Sequence, residues 1–208
     1  MISRRNTVVG AVVALVMSAA LAAPAYADSP PPTINGWSES QFVAAAVQNG
    51  TDAATATRSW GDKAAMSQIV VKSTLTGGID QAPSVGTKAL AAAATGSASA
   101  WCSKQSTNVF GAVLIQLKVV QNYSYSGTTV TSWNTQVFPD SSLGWYFNGV
   151  ILSQDFFSTG SGNPQGHHSS YRMAKFTNDF PSQYNANMWV QTTVYAPAGY
   201  ECASGGGV

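Results

Sequence analysis

The segment Gly111–Val137, GAVLIQLKVVQNYSYSGTTVTSWNTQV, constrains this chain most. Val113, Ile115, Leu117 and Val119 alternate with Ala112, Leu114, Gln116 and Lys118, a period of two rich in β-branched residues. The run after Gly127 is again strand-like, so the segment predicts one long β-hairpin. A three-residue loop, Tyr125-Ser126-Gly127, sets Ile115 opposite Val137, Leu117 opposite Thr135 and Val119 opposite Trp133. It gathers apolar side chains on one face and puts Gly127 where a left-handed residue is needed. A two-residue loop at Ser126-Gly127 pairs apolar with amide positions instead, because a one-residue slip changes faces. The expected buried face is Val113, Ile115, Leu117, Val119, Tyr123, Trp133 and Val137. Two strands alone are not stable in water, so this face needs a second layer, most simply another sheet.

Cys102 and Cys202 are the only cysteines. The start of the chain predicts export, and in an oxidising compartment two cysteines pair. Arg4 and Arg5 precede an apolar run from Val8 to Ala22, and Ala25-Tyr26-Ala27 has the form of a cleavage site. Residues 1–27 therefore read as a cleaved signal peptide. A Cys102–Cys202 bridge encloses 100 residues (202 − 102) and demands that the segment before the hairpin lie beside the last strand.

The remaining organisation follows from local signals. Residues 28–37 contain Pro30-Pro31-Pro32 and read as an extended leader. Ser38 and Gln41 have capping-box spacing, and Phe42, Val43, Ala46 and Val47 recur at helical spacing until Asn49-Gly50. A helical turn is expected over Asp62–Ser67, a strand over Ile69–Leu75 ended by Gly77-Gly78, a short helix over Thr87–Ala94 and a strand over Ser97–Ser103. After the hairpin come a turn at Phe138–Gly144 and a strand at Trp145–Leu152, apolar on both parities and so expected in the centre of a sheet. A polar loop follows at Ser153–Ser170, then strands at Tyr171–Phe176 and Met188–Tyr195 and a disordered Gly-rich tail at 203–208. Short strands joined by Gly, Pro, Asn and Ser turns predict a mainly β protein, an antiparallel sandwich or barrel-like module closed by one disulfide, with one or two short N-terminal helices. Residues 38–202 would form that single domain.

Composition narrows the function. Charged residues are 9% of the chain, against about 25% in ordinary soluble domains. Without Arg4 and Arg5, the 10 basic residues become 8 against 9 acidic, a net charge near −1. No basic stripe suits nucleic acid, and no later run is long enough to span a bilayer. No phosphate loop, dinucleotide fingerprint or zinc spacing occurs, so no cofactor or metal is expected.

Three chemistries remain to be weighed. Asp155, His167, His168 and Asp179 are the candidates for a secreted hydrolase built on the 153–170 loop, with Asp140 and Glu201 as further carboxylates. The His pair has adjacent positions, which point apart in extended chain, and no G-x-S-x-G elbow is present. Aromatics beside amides and hydroxyls offer more. Trp189, Gln191 and Tyr195 share one parity of the last strand, and Tyr146 with Asn148 makes a similar pairing. Such rings can stack on sugars while neighbouring polar groups bind hydroxyls; the competing expectation places this parity inside the sandwich. The leading expectation is a secreted, non-catalytic β-domain that binds a glycan or cell-envelope surface. The alternatives are the hydrolase and a membrane-active or self-assembling β-protein that uses its long hairpin.

Overall fold

The computed structural model describes residues 32–80, 95–158, 166–179, 184–197 and 199–206. The expected signal peptide and the expected helix at 87–94 lie outside them. The described part of the expected leader, residues 32–37, docks rather than trailing. Ile34 and Trp37 exchange backbone hydrogen bonds of 2.9 and 3.0 Å across Asn35-Gly36, whose φ values of 50° and 81° suit a two-residue turn of the I′ kind.

Three short helices follow. α1 (Glu39–Gln48) begins with the expected capping box: Ser38 Oγ accepts from Gln41 N, and Gln41 Oε1 accepts from Ser38 N. Asp52 and Asp62 cap α2 (Ala53–Ser59) and α3 (Lys63–Met66) one way only, their carboxylates accepting from the Thr55 N–H and from the Ala64 and Ala65 N–H groups. Phe42, Ala46, Ala56, Met66, Ile69, Val71 and Val109 form one buried cluster, and Ile34 and Trp37 pack against it.

The rest of the described chain is two antiparallel four-stranded sheets. The first runs β1 (Lys72–Ile79), β2 (Thr95–Thr107), β3 (Val113–Ser126), β4 (Thr129–Ser141), and these strands are neighbours in that order. The second runs β5 (Trp145–Ser158), β6 (His167–Asn178), β7 (Tyr184–Tyr195), β8 (Gly199–Gly205), again in order. Their inner faces meet in a core of Leu117, Val119, Phe176, Met188 and Val190. Cys102 of β2 is bonded to Cys202 of β8 with Cα atoms 5.6 Å apart, so the expected bridge ties one sheet to the other.

The hairpin forms, but its pairing is displaced by four residues. Val119 faces Val137, Leu117 faces Pro139 and Tyr123 faces Trp133. The loop is shorter than expected, because Ser126 pairs with Thr129 and leaves only Gly127-Thr128 between the strands. A bulge then follows, since Tyr125 pairs with Val130 and Ser124 with Ser132. The even displacement keeps the apolar residues beyond the bulge on their expected face, whereas the bulge turns Val130 inward, where it is fully buried. Trp133 is nevertheless 39% exposed, because β4 is the edge of its sheet.

Other corrections share a cause: glycine, proline and polar residues sit inside strands. β1 continues through Gly77-Gly78, where an added Cβ on Gly77 would lie 2.3 Å from Cys202 Sγ. β4 carries Pro139, allowed because edge strands have spare N–H positions, and the turn shrinks to Ser142–Gly144. The expected 153–170 loop is largely strand, with β5 running to Ser158 and β6 starting at His167. β8 includes Ala203–Gly205, placed by the sequence in a tail. Finally, β5 is an edge strand and not a central one.

Candidate functional site

Strand alternation sorts the predicted ligand residues onto one surface. On β7 the inward side chains Ala186, Met188, Val190 and Val194 are buried in the core. Trp189, Gln191 and Tyr195 therefore point to the outer face of the second sheet, where all three are half-buried. Trp189 stands directly opposite Gly205 in the β7–β8 ladder. A Cβ on Gly205 would come within 2.6 Å of the indole Nε1 and 2.7 Å of Cε2, so the ring lies across the bare glycine. Tyr171 of β6 stacks on it from the other strand, with ring centres 5.3 Å apart and planes 30° apart. An aromatic pair thus occupies the outer face of the second sheet.

Polar groups surround this pair. Ser169 Oγ and Thr193 Oγ1 are 2.8 Å apart, and Gln191 Nε2 donates to Thr193 Oγ1 at 3.4 Å. Tyr195 lies opposite Gly199, packs against His167 and donates its hydroxyl to Glu201 Oε2 at 2.7 Å. Burial pushes the Tyr195 hydroxyl up to about 12, helped by the hydrogen bond and charge of Glu201. Tyr146 is 56% exposed, and Asn148 donates to Thr177 Oγ1 at 2.9 Å. These two sit at the end of the β5–β6 ladder remote from His167. Tyr171 and Gly205 were not among the sequence candidates. In the sequence Tyr171 carries only a strand signal, and Gly205 reads as part of a Gly-rich tail.

The hydrolase candidates separate. Asp155 and His168 point between the sheets, whereas His167 takes the outer face beside Tyr195. Asp179 follows Asn178, which pairs with Trp145 at the opposite end of the ladder from the Asp155–Ser170 pair. Glu201 is on the outer face with Tyr195, and Asp140 lies on β4 opposite Gln116. Asp155 is held by Arg172 through two contacts, Nη1–Oδ1 at 2.8 Å and Nη2–Oδ2 at 3.1 Å. Ser170 Oγ donates to Asp155 at 2.7 Å and contacts Thr135 Oγ1 at 2.6 Å. Burial pushes the Asp155 carboxyl up, but the hydrogen bonds from Arg172 and Ser170 and the Arg172 charge outweigh it and hold the group below its ordinary value.

His168 is fully buried, stacked on Trp133 with ring centres 4.0 Å apart, and shares a hydrogen bond between Nδ1 and the Gln121 amide. Burial pushes its imidazole down to about 4, against the pull of Asp155. Ser170 donates to the Asp155 carboxylate, a weak base weakened further by Arg172, and not to the imidazole. The cluster joins the sheets. Among the described residues no group of three His, Cys, Asp or Glu could hold a metal.

No family model, curated protein or solved structure matches this chain. Among the described residues, no helix is long and apolar enough to cross a membrane.

Proposed function

We propose that this protein is a non-catalytic extracellular binding domain that docks a neutral polysaccharide of a cell envelope or matrix on the outer face of its second sheet. The observation that carries the reading is the indole of Trp189, laid across Gly205 and stacked on Tyr171. A ring held flat by a glycine loses little freedom on binding, and hydroxyl and amide groups border it. Low overall charge favours a neutral partner, and the disulfide is compatible with an oxidising location.

The test is depletion of the purified protein by insoluble polysaccharides such as cellulose, chitin and isolated cell wall. Retention is expected on at least one, with at least tenfold weaker binding for Trp189→Ala. Gly205→Val displaces the indole without removing it and should weaken binding as much. No retention of the unaltered protein, or equal retention of both variants, overturns the reading.

A further inference from the structure

β5 is an edge strand whose apolar side chains are open on both faces. Tyr146, Phe147, Val150, Ile151, Leu152, Phe156 and Phe157 are each 38–56% exposed. Two bulges interrupt its pairing with β6, between Phe147 and Val150 and between Val150 and Leu152, and from Leu152 to Ser158 the ladder is regular. Among the described residues, no strand pairs with its other side. Edge strands are ordinarily protected by lysine, proline or inward charge. β5 has no lysine or proline, and its one charge, Asp155, is neutralised by Arg172.

We propose that β5 is the self-association edge of this protein, pairing antiparallel with β5 of a second copy. The area is of the right order: at roughly 200 Å² per large side chain, Val150, Ile151, Leu152, Phe156 and Phe157, which fall within the paired stretch, leave on the order of 450 Å² uncovered. A standard interface takes about 800 Å² from each partner, and the strand backbone supplies more. The regular half of β5 is self-complementary. Pairing centred on Gln154 sets Leu152 opposite Phe156 of the second copy, and Ile151 opposite its Phe157. Ser153 then faces Asp155, so no carboxylate stands directly against its counterpart. Lipid is a poorer occupant, because hydrocarbon leaves the open backbone edge of β5 without hydrogen-bond partners.

A two-fold axis through such a pair is perpendicular to the sheet and makes one continuous eight-stranded sheet. Both Trp189 surfaces then lie on the same side. If those surfaces bind polysaccharide as proposed above, the dimer engages a polymer twice and gains avidity.

Light scattering behind size exclusion, run over a range of concentrations without polysaccharide, measures the mass of the full chain. Twice the monomer mass is expected, with at least a tenfold weaker association for Phe156→Lys, whose thermal melt should match that of the unaltered protein. Gln154→Cys places a thiol on the axis, and mild oxidation should convert it to a covalent dimer on a non-reducing gel. A monomer at every concentration with no Gln154→Cys dimer overturns the proposal. So does a monomer that floats with phosphatidylcholine–phosphatidylglycerol vesicles, which would assign the strip to lipid. Because polysaccharide is absent, this outcome is independent of the binding test above.

Discussion

His168 is a base buried where its charged form has no water and little compensation. From β5, the Asp155 carboxylate favours the proton; Arg172 and His167 of its own strand disfavour it, and Gln121 of β3 and Trp133 of β4 are neutral. Burial dominates, and the folded value of about 4 lies below the ordinary 6.5. The unfolded chain therefore binds the extra proton across that interval. Stability from this residue is complete above about pH 6.5 and is lost as the pH falls toward 4, by about 3 kcal/mol at about 1.4 kcal/mol per unit. Asp155 works in a lower window: its depressed value makes it stabilising above the ordinary carboxylate range, and that part is lost in stronger acid. Urea midpoints at pH 7.5 and pH 4.5 should show the loss in the unaltered protein and a much flatter response in His168→Gln. Equal slopes would assign the pH dependence elsewhere. The inward position of His168 could have been read from the sequence. It shares parity with Arg172, Ala174 and the core residue Phe176. The polar run 153–170 obscured this, because a strand lined with Ser, Gln and His resembles a loop until a partner sheet supplies its hydrogen bonds.

At the level of elements, the parts legible in the sequence are those governed by local chemistry. α1 is one: Ser38 and Gln41 close its first turn, and its spacing places Phe42 and Ala46 on the buried cluster. Packing outweighs the cap here. Ser38→Ala should cost about 1 kcal/mol, whereas Phe42→Ala, which also loses the contact with Trp60 at 5.5 Å, should cost about 3–5 kcal/mol. Denaturant titrations of the two variants give the comparison, and a larger loss from Ser38→Ala would contradict it. The faces of the hairpin were legible for the same local reason, but its register was not, because a bulge next to the turn has no sequence signature as firm as alternation. Glycines misled most. Gly78 lies opposite Trp101 and Gly205 opposite Trp189, each glycine in an edge strand with an indole laid over it. A glycine covered by an aromatic ring can stay in a strand, since the ring restores the packing that a missing side chain forfeits. Only the cross-strand pairing reveals this. Likewise, an apolar run such as β5 signals burial without saying whether the cover comes from this chain or from another.

The two sheets are joined along both of their sides. The turn Ser142–Gly144 joins edge strand β4 to edge strand β5 on one side, and β1 and β8 are the edges on the other. The Cys102–Cys202 bridge fastens that second side, where Lys104 Nζ also donates to the Gly205 carbonyl at 2.8 Å. Cross-linking residues separated by 100 positions removes freedom from the unfolded chain worth about 4–5 kcal/mol as an upper figure. Replacing both cysteines by alanine should therefore lower stability by up to that amount, and it also empties the space that Gly77 leaves for Cys202 Sγ. The loss should not be uniform. β3 and β6 are interior strands whose core contacts remain, whereas β8 is the edge that the missing clasp held to β2, and β1 is the edge beyond β2 whose Gly77 packs on Cys202 Sγ. Hydrogen exchange on the Cys102→Ala/Cys202→Ala protein should show the amides of β1 and β8 losing protection first, with β3 and β6 still slow. An even loss across all eight strands would mean that the sheets part only on global unfolding and that the bridge acts through the unfolded chain alone.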